Sequence, residues 1–325
     1  MKVFITGLTG FIGSYLAEAL LQDGHEVAGL MRQTNRLNFP SVKRLAGRVE
    51  FHYGSLLDYH AVRVALREAR PDFIIHLGAI TPVAYSFQHP HEVTETNYLG
   101  TINMAEAALI ECPNLKKFIF ASSMETYGFQ TKRTPFVETD ELHPACPYAV
   151  AKVASEKYLQ YLFYAHQFPA VSIRQTNCYG RKENDYFIVE AIITQMLKGG
   201  DVNLGDPRPV RNFLFIDDLV ALYRHLLAAD TSIDGEVFNT GPANGVTIAA
   251  LAELCAKATG WEGKINWNTR PRRPGEIFYL DSHNTKVYNA TANAGVLGAW
   301  DARVSLKDGL ARTVDIWRAN LGVTL

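Results

Sequence analysis

Cysteine is scarce in this chain, which has only four among its 325 residues, at positions 112, 146, 178 and 255. The four lie far apart and no two form a CxxC pair, so the sequence offers neither the disulfide framework of a small secreted domain nor a paired-cysteine metal site. The HExxH motif of zinc enzymes and the GxSxG motif of serine hydrolases are missing as well. We therefore expect reduced thiols, a cytoplasmic protein and no bound metal.

A surplus of positive charge is also missing, since 32 Lys and Arg residues are balanced by 33 Asp and Glu residues. Such a balance argues against binding to nucleic acid or to an anionic membrane surface. No apolar run approaches the roughly 18–20 residues that a membrane helix needs. The first residues lead into a strand pattern rather than a signal peptide. The sequence thus predicts neither nucleic-acid nor membrane partners.

Strand and helix patterns alternate regularly over the first 176 residues. They predict strands at 2–6, 26–31, 49–53, 73–77, 117–121 and 170–175, and helices at 14–22, 59–69, 93–111 and 148–167. Such alternation is typical of an α/β fold with a doubly wound parallel sheet. Beyond residue 176 the regularity weakens. We expect residues 177–325 to form mainly a smaller C-terminal substrate-binding lobe, with later strands near 211–240 joining the sheet of the 1–176 domain.

A glycine-rich loop, Gly7-Leu8-Thr9-Gly10-Phe11-Ile12-Gly13, lies between the first strand and the first helix. Here Gly7 would allow a tight turn, Gly10 a close approach of backbone to a pyrophosphate, and Gly13 the packing of helix on strand. Free amides at the start of the helix would face the negative charge. We predict a Rossmann domain that binds a dinucleotide for hydride transfer through Gly7, Thr9, Gly10, Phe11, Ile12 and Gly13.

The residues at the end of the second strand should determine whether the domain binds NAD or NADP. NAD-binding domains of this kind carry an acid about 20 residues past the loop, on the ribose hydroxyls. From position 27 to position 49 the chain has no Asp or Glu, and Arg32 stands where the acid is expected, with Arg36 one helical turn further on. Guanidinium groups suit a 2′-phosphate. These residues favour NADP, with NAD as the alternative.

A tyrosine and a lysine four residues apart, Tyr148 and Lys152, would share one face of the fourth predicted helix. A free tyrosine has a pKa near 10 and is a poor base at neutral pH, but a nearby ammonium stabilises its phenolate. Ser123 follows the fifth predicted strand, at the sheet edge where ligands bind in open α/β folds. It can donate to the substrate oxygen whose proton Tyr148 removes. We predict that Ser123, Tyr148 and Lys152 are catalytic.

These motifs resemble those of the extended short-chain dehydrogenase/reductase family, and the resemblance is strongest up to about residue 155. The GxxGxxG spacing is similar, as are Asn97-Tyr98-Leu99-Gly100-Thr101 and Tyr148-Ala149-Val150-Ala151-Lys152. The segment from Ser122 to Gly128 resembles the Ser-Thr-Ser-Glu-Leu-Tyr-Gly of the GDP-mannose 4,6-dehydratases in that family. The resemblance implies a nucleotide diphosphate sugar as substrate. It also implies a homodimer built through the two long helices, here about 93–111 and 148–167.

Within that resemblance, Glu125 is the residue that separates the possible reactions. Sugar 4,6-dehydratases carry an acid here, which takes the C5 proton once C4 is a ketone and protonates the departing C6 hydroxyl. The sequence therefore favours a 4,6-dehydratase acting on a GDP-mannose-like substrate, with Glu125 catalytic. A 4-epimerase and an NADPH-dependent 4-keto-6-deoxy sugar reductase remain alternatives. Met124 departs from the Asp that some sugar dehydratases have before the glutamate.

The resemblance also implies further contacts for the cofactor and the substrate. Ser55 and Leu56 stand where the family has Asp-Leu beside the adenine, and Leu77 and Ala79 should line the cofactor after the fourth strand. The predicted substrate contacts are Thr81 and Ser86 for the hexose, Ser123 at the reacting oxygen, and Asn177, Arg211 and Arg273 for the diphosphate. Bidentate arginine contacts would give most of the affinity.

Overall fold

The computed structural model of the chain describes residues 1–32 and 40–322. Its strands, in chain order, are β1 (Lys2–Thr6), β2 (Glu26–Met31), β3 (Glu50–Tyr53), β4 (Phe73–His76), β5 (Lys117–Ser123), β6 (Ala170–Gln175), β7 (Asn177–Tyr179), β8 (Val202–Asn203), β9 (Val210–Arg211), β10 (Phe213–Phe215), β11 (Val237–Asn239), β12 (Val246–Thr247), β13 (Ile265–Asn266) and β14 (Tyr279–Leu280).

The helices, in chain order, are α1 (Phe11–Gln22), α2 (Pro40–Leu45), α3 (Tyr59–Ala69), α4 (Val83–Gln88), α5 (Pro90–Thr94), α6 (Gly100–Glu111), α7 (Pro147–His166), α8 (Ile188–Leu197), α9 (Ile216–Ala228), α10 (Ile248–Thr259), α11 (Thr285–Ala294) and α12 (Leu306–Leu321). Short 3₁₀ turns lie at Met124–Tyr127 and Thr231–Ile233. The sequence patterns had not predicted α2, α4, α8, α11 and α12.

A seven-stranded parallel sheet in the order β11-β6-β5-β4-β1-β2-β3 forms the centre of the molecule. Its strands are buried on both faces: in β1, Val3 and Ile5 belong to one apolar core and Phe4 to the other. Burial on both faces explains the continuous apolar strand patterns, which are typical of parallel sheets covered by helices. The structure confirms the predicted doubly wound Rossmann fold.

Small sheets accompany the second half of the chain. They have the strand orders β12-β9-β14, β13-β8 and β10-β7. Of the later strands near 211–240, β11 joins the large sheet beside β6, whereas β9 and β10 pair in the small sheets. Because β7 directly follows β6 and pairs with β10, these two strands lie at the carboxyl end of β6.

The helix predicted at 93–111 is divided in the structure. It consists of α5, a π-helical turn at Glu95–Leu99, and α6. Within the turn, the buried Asn97 amide accepts from the backbone N–H of Ile80 at 2.7 Å and donates to its carbonyl at 2.9 Å. This pair of bonds ties the helix to the segment after β4. Turns of this type often mark functional sites.

Candidate active site

The glycine loop has the shape that a dinucleotide cradle requires. Gly7 has a φ of +70°, and a β-carbon on Gly13 would lie 2.2 Å from the Gly7 carbonyl oxygen, so both positions exclude larger residues. Helix α1 begins after Gly10 without a side-chain cap or an acid in its first turn. Its first amide groups therefore point toward the cleft as an anion-binding end. The residues present fit a dinucleotide pyrophosphate.

A cleft of about 360 Å³ runs from this loop across the carboxyl edge of the sheet. It brings together most of the predicted residues, namely Gly7, Gly10, Phe11, Ile12, Gly13, Leu77, Ala79, Thr81, Ser123, Glu125, Tyr148 and Asn177. These side chains come from the ends of different strands and from α7. The predicted cofactor loop and the predicted catalytic residues thus share one continuous space.

Tyr148 stands at the start of α7, on the wall of the cleft. Cys146 caps this helix, and its Sγ accepts from the Ala149 N–H at 3.4 Å. Burial raises the pKa of Tyr148 far above its ordinary value, while a hydrogen bond with Ser123 opposes the shift. The pKa of Tyr148 is therefore set by burial, and the lowering that we expected from Lys152 is not the governing effect.

Lys152 lies one turn further along the same face of α7, beneath the cleft. Its Nζ donates to the Ala121 carbonyl at 2.6 Å and lies 5.8 Å from the centroid of the Tyr148 ring. Burial lowers the pKa of Lys152 to about 7, and the charge of Glu156 opposes this. A lysine with this pKa can exchange a proton at neutral pH, which a lysine in water does not do.

A buried ion pair, which the sequence did not predict, lies next to the segment that carries Ser123. Glu156, on the next turn of α7, accepts from the Ser122 hydroxyl and from the Arg174 guanidinium, with Nη2 at 2.8 Å from Oε2. Arg174 also donates to the Tyr127 hydroxyl at 3.1 Å. Ser122 and Tyr127 flank the segment that carries Ser123 and Glu125. The pair therefore anchors both ends of this segment against α7.

Glu125 belongs to the short 3₁₀ turn Met124–Tyr127, directly after β5. The turn begins at Ser123, whose Oγ accepts from the Glu125 N–H at 3.2 Å. Gly128 closes the turn with a φ of +62°, and a β-carbon there would collide with the His143 carbonyl. This tight exit leaves the Glu125 side chain half-buried in the same cleft as Tyr148.

A hydrogen-bonded chain supports the floor of the cleft after β4. The Thr101 hydroxyl donates to the Asn97 carbonyl at 2.7 Å, so it accepts from His76 Nε2 at 3.1 Å. His76 Nδ1 then accepts from Thr6 Oγ1 at 2.7 Å, and the same Oγ1 accepts from the Gly78 N–H. Burial, reinforced by Lys152, lowers the pKa of His76 to about 3. His76 is therefore a neutral structural link.

The two arginines predicted for the diphosphate lie beside this cleft and share one carboxylate. Buried Arg211 donates to the Ile277 carbonyl at 2.8 Å, and its Nη2 lies 3.6 Å from Glu276 Oε1. Arg273 donates to the same oxygen at 3.1 Å, with its side chain 39% exposed. Both arginines and Glu125 line a small adjoining pocket. Two cationic side chains thus lie close together beside Glu125.

Asn177 lines the same cleft as Ser123 and Tyr148. Its Nδ2 donates to the Asn212 carbonyl at 3.1 Å, and its side-chain carbonyl takes no part in that bond. Thr81 lines the cleft as predicted. Ser86 does not: its side chain is fully buried, and its hydroxyl donates to the Val83 carbonyl at 2.7 Å within α4. The helix that begins at Val83 turns Ser86 inward, so we correct its assignment to the hexose.

Of the remaining predicted cofactor contacts, Arg32 follows β2, while Ser55 and Leu56 follow β3. Arg32 is exposed directly after β2, and Arg36 lies outside the described residues. Ser55 is exposed, and its Oγ accepts from the Leu57 N–H at 3.3 Å. Leu56 packs against Gly100, since a β-carbon added to Gly100 would lie 2.9 Å from the Leu56 β-carbon. The Thr9 carbonyl accepts from the Ser41 hydroxyl at 2.8 Å.

Residues 1–32 and 40–322 hold no cluster of three or more His, Cys, Asp or Glu side chains that could bind a metal ion. In the same ranges, no helix combines the length and the apolar character needed to cross a membrane.

The fold and the cleft define the class of protein. A Rossmann sheet, a GxxGxxG cradle and a Ser, Tyr and Lys set at its carboxyl edge are those of an extended short-chain dehydrogenase/reductase of the nucleotide-sugar epimerase and dehydratase group. More particularly, the chain belongs to the family described as GDP-mannose 4,6 dehydratase, whose model matches residues 4–313. The chain is therefore an enzyme of this group.

Relatives of known activity cover nearly the whole chain. UDP-glucose 4-epimerase of Mycolicibacterium smegmatis is 30% identical over 98% of this chain and 99% of its own. The structure of UDP-glucose 4-epimerase from Thermotoga maritima with UDP-glucose has a TM-score of 0.89 at 29% identity, covering 99% of this chain and 100% of that one. dTDP-glucose 4,6-dehydratase from Streptomyces venezuelae, with NAD and TYD bound, has a TM-score of 0.86 at 25% identity, covering 99% and 98%.

Proposed function

We propose that the protein is a nucleotide-sugar 4,6-dehydratase, with a GDP-mannose-like substrate. The observation that carries the proposal is the position of Glu125 in one cleft with Ser123 and Tyr148. An epimerase acts at C4 alone and needs no carboxylate at C5, whereas a dehydratase needs a group that accepts the C5 proton. Glu125 is a carboxylate on the same cleft wall and supplies that group.

Different residues of the cleft have different roles in the proposed reaction. A nicotinamide dinucleotide, when held at the glycine loop, would supply the hydride acceptor for C4 and the hydride donor for C6. Because burial keeps Tyr148 protonated, Tyr148 must give up its own proton as it takes that of the C4 hydroxyl, and Ser123 donates a hydrogen bond to the same oxygen. Glu125 takes the C5 proton and gives it to the departing C6 hydroxyl, which leaves as water. After the hydride has reached C6, a proton returns to C5, so the net change is the loss of one water.

We propose that Lys152 takes up the proton that Tyr148 gives up. Its Nζ lies 5.8 Å from the centroid of the Tyr148 ring, and its pKa of about 7 allows it to be neutral or protonated at neutral pH. A neutral Lys152 can therefore accept this proton and carry the positive charge while C4 is oxidised.

We also propose NADP as the preferred cofactor, with NAD as the alternative. The exposed Arg32 at the end of β2, together with the absence of an acid from position 27 to 49, supports a 2′-phosphate. The dTDP-glucose 4,6-dehydratase structure contains NAD, which supports the alternative. Titration of both cofactors into wild type and Arg32→Asp distinguishes them. We expect Arg32→Asp to weaken NADP binding and not NAD binding, and equal losses would contradict the assignment.

For the substrate, we propose that Arg211, Arg273 and Asn177 hold the diphosphate. The convergence of both arginines on Glu276 supports this, because two cations placed on one carboxylate can instead share a phosphate group. The guanine base is supported by the family resemblance alone. A panel of GDP-, UDP- and dTDP-hexoses, followed by mass spectrometry, tests the class of substrate. A product lighter by one water, with no net use of cofactor, is expected from one of them.

A 4-epimerase is the second candidate function. Met124 stands where some sugar dehydratases carry an acid for the leaving water. The UDP-glucose 4-epimerase of Mycolicibacterium smegmatis also matches almost the full chain. The same panel distinguishes the two, since an epimerase gives an isomer of unchanged mass. A 4-keto sugar reductase would instead consume NADPH.

We further propose a homodimer through the two long helical segments. Apolar side chains are exposed along them, among them Leu99 and Ile110 on one segment and Val150, Tyr161 and Tyr164 on the other. Exposed apolar patches of this kind mark interaction surfaces. Light scattering of wild type and a Tyr164→Glu variant tests the proposal, with a dimer expected for the first and monomers for the second.

A further inference from the structure

Arg181 occupies an unusual position opposite the glycine loop. It follows β7, and its residue is only 8% exposed, yet it lines the cleft together with Gly10, Phe11 and Ile12. A buried arginine needs partners, because an unpaired charge away from water is costly. Its contacts, together with one donor atom that has no partner in the described residues, indicate that it binds a further group.

The guanidinium group is clamped between two aromatic rings. Its Cζ lies 4.4 Å from the ring centroid of Phe11 and 3.9 Å from that of Phe187. Phe11 is the first residue of α1, so the clamp holds the cation beside the amino end of that helix. A planar group held in this way loses little further freedom on binding a ligand.

Both side-chain hydrogen bonds that Arg181 donates come from Nη1 of its guanidinium group. Nη1 donates to the Cys178 carbonyl at 2.7 Å and to Glu190 Oε2 at 3.2 Å. The other oxygen of Glu190 accepts from the backbone N–H groups of Gly180 and Arg181. Nε is buried and has no partner among the residues that the structure describes. An orphaned N–H of this kind on a buried cation calls for an acceptor.

We propose that Arg181 is a direct binding residue for the pyrophosphate of the dinucleotide, on the side of the cleft opposite the glycine loop. The helix end and the buried cation lie against the same cleft, so a doubly charged pyrophosphate would accept from both. This inference rests on the dinucleotide of the proposed function. It adds a second-lobe residue to a cofactor site that the glycine motif places only in the Rossmann domain.

The test compares ligands that contain or lack the pyrophosphate. Dissociation constants of NADP, ADP-ribose and adenosine are measured for wild type and Arg181→Met. Loss of a charged hydrogen-bond donor predicts roughly tenfold to a hundredfold weaker binding of NADP and ADP-ribose, with adenosine unchanged. Arg312→Met is the matched control, because Arg312 also lies over a ring, that of Phe215, but its side chain is 55% exposed and pairs with Asp217. It should leave all three constants unchanged.

Either of two results would overturn the inference. One is an Arg181→Met variant that binds ADP-ribose as tightly as wild type. The other is an equal loss for adenosine, which would mean that Arg181 acts only by packing the lobes together. If Arg181→Met does not fold, Arg181→Lys replaces it, since lysine keeps the charge but not the Nε donor: a severalfold loss for ADP-ribose supports the proposal and full affinity refutes it. Binding is measured without turnover, so a failed dehydration assay leaves this test intact.

Discussion

The buried face of α7 and the loop between β13 and β14 (residues 267–278, the arginine loop) are built on different principles. On α7, Tyr148, Lys152 and Glu156 are all buried. Lys152 donates to the Ala121 carbonyl, and Glu156 accepts from Ser122 and Arg174. On the loop, Arg273 is 39% exposed and its described partner is Glu276, three residues along the chain. One region is fixed by long-range contacts and the other by a local pair.

This difference indicates which region serves the chemical step and which serves substrate binding. Groups that stabilise a transition state act best when they are already in place, because no reorganisation is then needed during the reaction. An exposed ion pair contributes only about 0–1 kcal/mol, so a substrate phosphate can displace Glu276 from Arg273 at small cost. We therefore expect substitutions on α7 to change kcat or stability, and substitutions on the loop to change KM.

The largest expected effect is that of Tyr148→Phe. It removes the group that takes the C4 hydroxyl proton, and loss of general-base catalysis should lower kcat by roughly 10²–10⁴-fold with little change in KM. Tyr164→Phe, on the exposed side of the same helix, is the control and should retain full activity. A Tyr148→Phe variant with more than a tenth of wild-type kcat would contradict the assignment.

Next in size is the effect of Arg174→Met on stability. The substitution leaves the buried Glu156 carboxylate without its cation, which should lower the free energy of unfolding by about 3–5 kcal/mol. Urea denaturation measures the change. Arg312→Met breaks an exposed pair with Asp217 and should cost no more than about 1 kcal/mol. Equal losses in the two variants would remove the distinction between fixed and exposed pairs.

A smaller effect is expected on the arginine loop. Arg273→Met removes a cation from the proposed diphosphate site and should raise KM roughly tenfold to a hundredfold, with kcat nearly unchanged. Arg270→Met, at an exposed position on the same loop, is the matched control and should leave KM as it is. If kcat falls for Arg273→Met while KM stays constant, the loop belongs to the catalytic machinery and the comparison fails.

The last prediction concerns pH and Lys152. Burial lowers its pKa from 10.5 in the unfolded chain to about 7 in the fold, so between these values the unfolded state binds more protons. The contribution of Lys152 to stability should therefore rise with pH from about 7 to about 10.5. Urea denaturation of wild type and Lys152→Met across this window gives the difference. A difference that falls with rising pH would contradict the direction of the shift.

The sequence predicted the parts of the site that are local in the chain. Ser123, Glu125 and Tyr148 each follow a strand or begin a helix, and parallel strands bring such positions to one edge. Glu156 and Arg174 escaped prediction because their pairing depends on the register of β5 and β6 against α7, which no spacing reveals. Ser86 was wrongly assigned to the hexose, because a serine after a strand can face the cleft or its own helix, and only packing decides.

The central claim is that Glu125 makes this site a dehydratase. The direct test follows a GDP-hexose by mass spectrometry with wild type and with Glu125→Gln, whose fold is verified by circular dichroism. The account predicts a product lighter by one water from wild type, and a loss of roughly 10²–10⁴-fold in dehydration for the variant, which still oxidises C4. Dehydration at full rate by Glu125→Gln, or an isomer of unchanged mass from wild type, would contradict it.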